Sequence, residues 1–174
     1  RSPRMPDRPS DVNFEMISRL SLRIEGTSEP TLSTWMEAAA LGARDGYSVQ
    51  LFHVAEADEL LELPPAQSAA RAMSARSLQG TALTVEPLEG APATMSAYAY
   101  RNGSSVHILL INHARHAYTF PIASDLRLEG AMVQVCDENG QPVSEEPLRR
   151  SGSPVDVLPG GVTVLEITEG ETEK

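Results

Sequence analysis

Cysteine, aromatic residues, basic charge and long apolar runs are all scarce in this chain, and each scarcity excludes something. A single cysteine, Cys136, in 174 residues leaves no internal disulfide framework and no cysteine-rich zinc site. Lys and Arg number 14 against 24 Asp and Glu, a formal net charge of −10. That balance argues against nucleic acid or an anionic membrane as partner, because phosphate binding draws on a basic patch. No apolar run approaches the roughly 20 residues of a spanning helix. Aromatics are only 5% of the chain, so a core drawn from its 41% hydrophobic content must be built from Leu, Val, Ile and Ala. There is also no Ser-His-Asp arrangement and no phosphate-binding loop.

What is present centres on Met95–Ala114, MSAYAYRNGSSVHILLINHA. Met95, Ala97 and Ala99 alternate with Ser96, Tyr98 and Tyr100, and Asn102-Gly103 offers the positive φ angles of a hairpin turn. The return run Val106–Ile111 is apolar on both faces, which predicts a central strand covered on both sides.

Before this hairpin the pattern alternates strand and helix. Residues 1–12 carry Pro3, Pro6 and Pro9 among arginines and read as a linker or arm. A chain opening in this way is expected to be a processed product or a fragment. Leu20–Ile24 reads as a strand, broken by the Gly26–Pro30 region. Leu32, Trp35, Met36, Ala39 and Ala43 then fall on one face of a helix capped near Thr31 and closed by Gly46. Tyr47–Val54 is a second strand with β-branched and aromatic content. An acidic connection follows (Glu56, Asp58, Glu59, Glu62), then a helix Ala66–Gln79 opened by Pro64-Pro65 and stopped by Gly80. Residues 13–80 thus show the order of parallel α/β units. Two such units leave large side chains wet, at roughly 1.5–3 kcal/mol each, so they call for further strands beside them.

From Thr81 the period changes to short strands and turns. Thr81–Val85, the central hairpin and Ala117–Ile122 come first. Ala131–Cys136 is expected to pair through Asn139-Gly140 with Val143 onward, and Val155–Leu158 through Pro159-Gly160-Gly161 with Val162–Ile167. These predict an antiparallel β-sandwich over 81–168 and a disordered charged tail over 169–174. The fold class is α/β, then all-β.

Several residues invite chemistry and receive plainer readings. His113 and His116 have an H-x-x-H spacing without a third ligand, and the acidic loop does not match the calcium loop with a firm signature. Asn102-Gly103-Ser104 is formally a glycosylation sequon, but a hairpin turn explains it. Cys136 is expected buried and inert, and Trp35 belongs to a core.

The order of parts resembles the C-terminal end of clan A retaining glycoside hydrolases, in which a (β/α)₈ barrel carries a β-sandwich. The arabinofuranosidase-like and heparanase-like families are nearest. PPAQSAARAMSARSLQGTAL matches a last barrel helix leading into the sandwich, VHILLIN a sandwich strand, and LPGGVTVLEI the final strand. The resemblance implies terminal βα units of a barrel over 13–80 and hydrolysis of a polysaccharide or oligosaccharide. Such enzymes use two carboxyls about 5–5.5 Å apart, and the nucleophile is a Glu at the end of barrel strand seven. Glu25, in LRIEGTS, occupies the matching place, where catalytic groups of barrels gather. His53, at the end of the next strand, is the matching candidate for a sugar contact. The early half of such a barrel, with its acid/base Glu, is not in these residues. The resemblance therefore implies a companion chain or N-terminal segment completing the barrel, and inactivity without it. It also implies an extracellular address. From the residues themselves no cofactor and no metal is expected. The alternative is a non-catalytic β-sandwich module for assembly or carbohydrate binding, with Tyr98, Tyr100 and Tyr118 as its only aromatic set.

Overall fold

The computed structural model describes residues 30–45, 63–86 and 90–169. The expected strands Leu20–Ile24 and Tyr47–Val54, with the acidic connection after them, lie outside those residues. The described chain forms helices α1 (Leu32–Arg44) and α2 (Pro65–Ser77). It then forms strands β1 (Thr81–Leu83), β2 (Met95–Asn102), β3 (Ser105–Asn112), β4 (Tyr118–Pro121), β5 (Met132–Cys136), β6 (Pro142–Pro147), β7 (Pro154–Val157) and β8 (Val162–Thr168).

Six strands make one antiparallel sheet in the order β1-β2-β3-β8-β5-β6, and β4 and β7 make a separate two-stranded ribbon. The expected central strand is β3, paired to β2 on one side and β8 on the other. Its side chains alternate between two cores, as a pleated strand requires. Leu109 and Ile111 join Tyr98, Tyr100, Val162 and Val164 against Leu32, Trp35, Met36, Ala39, Ala66, Ala70 and Met73 of the helices. On the opposite face Val106, Ile108 and Leu110 join Val133, Val135, Leu165 and Ile167 in a second core containing Val155 of the ribbon.

Local chemistry explains the elements. The apolar face expected of α1 is the buried one, Leu32, Trp35, Met36 and Ala39, with Ala40 added and Ala43 partly buried. Thr31 stands at its N-cap position but makes no side-chain capping bond. Carbonyls of the β-turns serve instead: Leu32 N–H donates to Glu138 O at 2.8 Å, and Ser33 N–H to Gly160 O at 2.9 Å. These satisfy donors that a helix start leaves open. In α2, Pro65 fills the first turn, where a missing N–H costs nothing, and the helix ends at Ser77, two residues short of the expected Gln79.

Three expectations change. The hairpin turn is Gly103-Ser104 between Asn102 and Ser105, with positive φ at Gly103 alone. That is the type II′ arrangement, so Asn102 stays in the strand and needs no left-handed backbone. Second, β7 does not pair with β8. It pairs with β4, Tyr118 opposite Val157 and Phe120 opposite Val155, while β8 lies between β3 and β5. The burial patterns give the reason: β7 alternates exposed and buried residues, whereas β8 is buried on both faces from Val162 to Leu165. A one-sided strand suits the outer ribbon and a two-sided one the sheet interior. Third, order continues past β8 to Glu169, whose N–H donates to Ser104 O at 2.8 Å and whose carboxylate pairs with Arg101.

The outer strand β6 is exposed along its whole length, with Val143 at 62%. It is bracketed by Pro142 and Pro147 and carries Glu145 and Glu146, features that discourage edge-to-edge pairing.

The β5–β6 turn also seats α2. Gly140 has φ +80, and a Cβ there would lie 2.1 Å from Ala69 Cβ; Gly152, at φ +79, faces open space. Gly140→Ala is therefore expected to destabilise by roughly 1–3 kcal/mol more than Gly152→Ala, the overpacking cost, measured as midpoints of urea unfolding.

Candidate functional site

Glu25 and His53, the two residues singled out for catalysis and sugar contact, lie outside the described residues. Within them, the constellation richest in titratable groups sits where α1 crosses the start of the sheet. Glu37 lies at the edge of the buried face of α1, one turn from the buried Ser33 and Ala40. Ser96 and Tyr98 stand two residues apart on β2 and so share its helix-covered face. His113 follows the end of β3.

All three reach Glu37. Tyr98 OH donates to Oε1 at 2.7 Å, Ser96 Oγ to the same oxygen at 3.1 Å, and His113 Nε2 lies 3.3 Å from Oε2. Burial pushes the Glu37 carboxyl up, but the hydrogen bonds from His113, Tyr98 and Ser96 outweigh it and hold the group below 4.5. The Tyr98 phenol is pushed well above 10.0 by burial and by its bond to that carboxylate. Beside it Tyr100 OH donates to Ala40 O at 2.6 Å, and burial raises its phenol to about 12. A carboxylate held ionised by three donors is a poor proton donor near neutrality. Its geometry suits anchoring of α1 to the sheet.

Other sequence candidates fall apart in space. His113 turns to Glu37, whereas His116 contacts Tyr118 OH at 2.5 Å, so the H-x-x-H pair has two separate partners. Among the described residues no group of three or more His, Cys, Asp or Glu is placed to hold a metal ion. Cys136 is buried, and burial raises its thiol above 9.0, the direction of an unreactive group. Trp35 is buried in the helix-side core. Of the aromatic set, Tyr98 and Tyr100 are buried under α1, and only Tyr118 keeps surface, packed against His116 and Phe120.

The Glu37 cluster escaped sequence reasoning because it joins residues 59 to 76 positions apart. Its one legible trace is the polar pair Ser96 and Tyr98 at strand spacing.

No family model matches the sequence, and no curated protein matches it. Solved structures do match in shape. A xyloglucanase of glycoside hydrolase family 44 from Paenibacillus polymyxa aligns with TM-score 0.57 and 17% identity, over 79% of this chain and 29% of that one. A bifunctional glucanase-xylanase protein from a metagenome library aligns with TM-score 0.57 and 16% identity, over 90% of this chain and 34% of that one. A family 30 endoxylanase from Clostridium papyrosolvens aligns with TM-score 0.55 and 10% identity, over 82% and 40%. The arrangement of helices and antiparallel sheet is thus one that occurs within glycoside hydrolases. The chain spans 29% to 40% of the length of these structures. Among the described residues no helix is long and apolar enough to cross a membrane.

The pH response of the Glu37 cluster has a definite sign. A carboxylate whose folded pKa is depressed stabilises the fold above its unfolded value of 4.5 and loses that contribution as pH falls through the folded value. Tyrosines with raised folded pKa stabilise below 10.0 and lose it as pH rises. Glu37→Ala is expected to cost roughly 1.5–3 kcal/mol at pH 7, as for hydrogen bonds to a charged group. Its stability deficit relative to wild type should shrink below pH 4.5, read by denaturant unfolding at stepped pH.

Proposed function

We propose that this chain is the C-terminal portion of a retaining glycoside hydrolase, carrying the last two βα units of a (β/α)₈ barrel and the β-sheet domain behind them. The observation that carries the reading is the shape match to glycoside hydrolases. It covers 79% to 90% of this chain in the xyloglucanase and glucanase-xylanase structures. The sequence motifs PPAQSAARAMSARSLQGTAL and VHILLIN, read for the same family, fall on α2 and β3.

In this reading Glu25 is the nucleophile and His53 a sugar contact. A companion chain or N-terminal segment supplies the remaining barrel strands and the acid/base carboxyl. The nucleophile attacks the anomeric carbon to form a glycosyl ester while the partner acid protonates the leaving oxygen. Water, deprotonated by the same partner residue, then releases the sugar with its configuration retained. The substrate class is a plant-type β-glycan, from the xyloglucan, glucan and xylan activities in the names of the matched structures. An extracellular address accords with a polymeric substrate.

The alternative, a non-catalytic module for carbohydrate binding, is disfavoured by the burial of Tyr98 and Tyr100, which removes two of its three stacking rings. A role in assembly does not depend on them.

The test is a glycosidase screen of the complete native protein on xylan, xyloglucan and mixed-linkage glucan, followed by Glu25→Gln. Loss of turnover by about a thousandfold or more, with an unchanged unfolding midpoint, is expected. Undiminished activity in that variant overturns the assignment of Glu25. Absence of activity on every glycan overturns the hydrolase reading.

A further inference from the structure

The chain contains two Asn-Gly steps, and the fold treats them differently. Asn139-Gly140 forms the β5–β6 turn and is locked from within. Gly140 N–H donates to Asp137 O at 3.0 Å. Asp137 Oδ1 accepts from Asn139 N–H and from Gln141 N–H, each at 2.9 Å. The start of α1 leans on the same turn through Leu32 N–H and Glu138 O, and Gly140 lies against Ala69 of α2.

Asn102-Gly103, at the point where β2 turns into β3, is exposed. The cross-strand pair that closes this hairpin is Asn102 with Ser105, which leaves Gly103 N–H outside the ladder. Among the described residues neither the Gly103 N–H nor the Asn102 side-chain amide has a hydrogen-bond partner. A Cβ added at Gly103 would meet nothing within 4 Å, so no neighbour crowds the step.

We infer that Asn102 is a site of spontaneous deamidation through a cyclic imide, and that the fold protects Asn139 from the same reaction. The nucleophile is the Gly103 backbone nitrogen, which gives its proton to hydroxide and attacks Asn102 Cγ to form an N–Cγ bond in a five-membered ring. The Cγ–Nδ2 bond then breaks, and the amine takes a proton from water and leaves as ammonia. Water opens the ring at either carbonyl. Addition at Cγ gives aspartate in an ordinary chain, and addition at the main-chain carbon gives isoaspartate, with the chain running through Cβ and Cγ. The sum is one water consumed and one ammonia released, with no oxidant or cofactor. A following glycine has no Cβ to shield its nitrogen, an advantage both steps share. Of the two, Asn102 is the one whose neighbouring nitrogen is also free of a hydrogen bond. At Asn139 the attack must first break the Gly140–Asp137 bond in a turn that also holds Leu32 N–H.

Either product places a new carboxylate beside Arg101, whose guanidinium pairs with Glu169. Isoaspartate also lengthens the main chain by one carbon at the Asn102–Ser105 pair, which loosens the closure of the hairpin.

Incubation of the full chain in mildly alkaline buffer, with peptide mapping by mass spectrometry over time, tests this. Fragmentation distinguishes aspartate from isoaspartate. In the folded chain both are expected at Asn102 at a rate at least about tenfold above that at Asn139, because the Asn139 turn has hydrogen bonds to break first. In urea, where both sites are bare Asn-Gly steps, the two rates are expected to converge. Equal rates in the folded chain, or a faster Asn139, overturn the inference. So does a gap that persists undiminished in urea, since flanking sequence rather than the fold would then set it. Asn102→Gln is expected to remove the early release of ammonia, and undiminished release in that variant also overturns the assignment.

Discussion

Strand β3 is the constraint on which the rest of the structure hangs. Both of its neighbours are hydrogen-bonded and both of its faces are covered. Leu109 and Ile111 serve the helix-side core and Val106, Ile108 and Leu110 the ribbon-side core. A slip of one residue would exchange these sets and put His107 where Val106 belongs, among aliphatic side chains on the ribbon side. The two cores are thereby tied to a single register.

The helices are held to this sheet by polar contacts whose donors and acceptors come from turns and strands distant in sequence. The N–H groups at the start of α1 donate to turn carbonyls at Glu138 and Gly160, and its middle is anchored through Glu37. The α2 helix rests on Gly140 at one end and on the Arg76–Gln134 bond at the other. Glu37, by contrast with an ordinary surface carboxylate, is satisfied by Tyr98, Ser96 and His113 at once.

Much of the local structure was legible from residue order alone. The buried face of α1, the proline-opened start of α2, the 95–112 hairpin and the doubly covered strand all follow from periodicities that need no knowledge of partners. The turn at Gly103 was legible to within one residue, since Asn-Gly marks a turn without saying which turn type places it. The pairing of β7 was not legible. The turn Pro159-Gly160-Gly161 looks like a hairpin, yet the chain uses it to cross from the ribbon to the sheet, with Thr163 Oγ1 donating to Asp156 O at 2.6 Å. The preference of β7 for β4 depends on burying Val155 and Val157 against a sheet that exists only after β3, β8 and β5 have come together.

Sequence by itself determined which segments are helix or strand and which side of each is apolar, because side-chain spacing and backbone preference act over a few residues. It determined equally the loose family likeness on which Glu25 and His53 rest. Assembly in three dimensions settled which strands are neighbours, which tyrosines lie under α1, and that Glu37, Ser96, Tyr98 and His113 meet. Those outcomes depend on burial and hydrogen bonding between residues 45 or more positions apart, as in Asn112 with Val157 or Glu37 with His113. Local pattern carries no record of such distances.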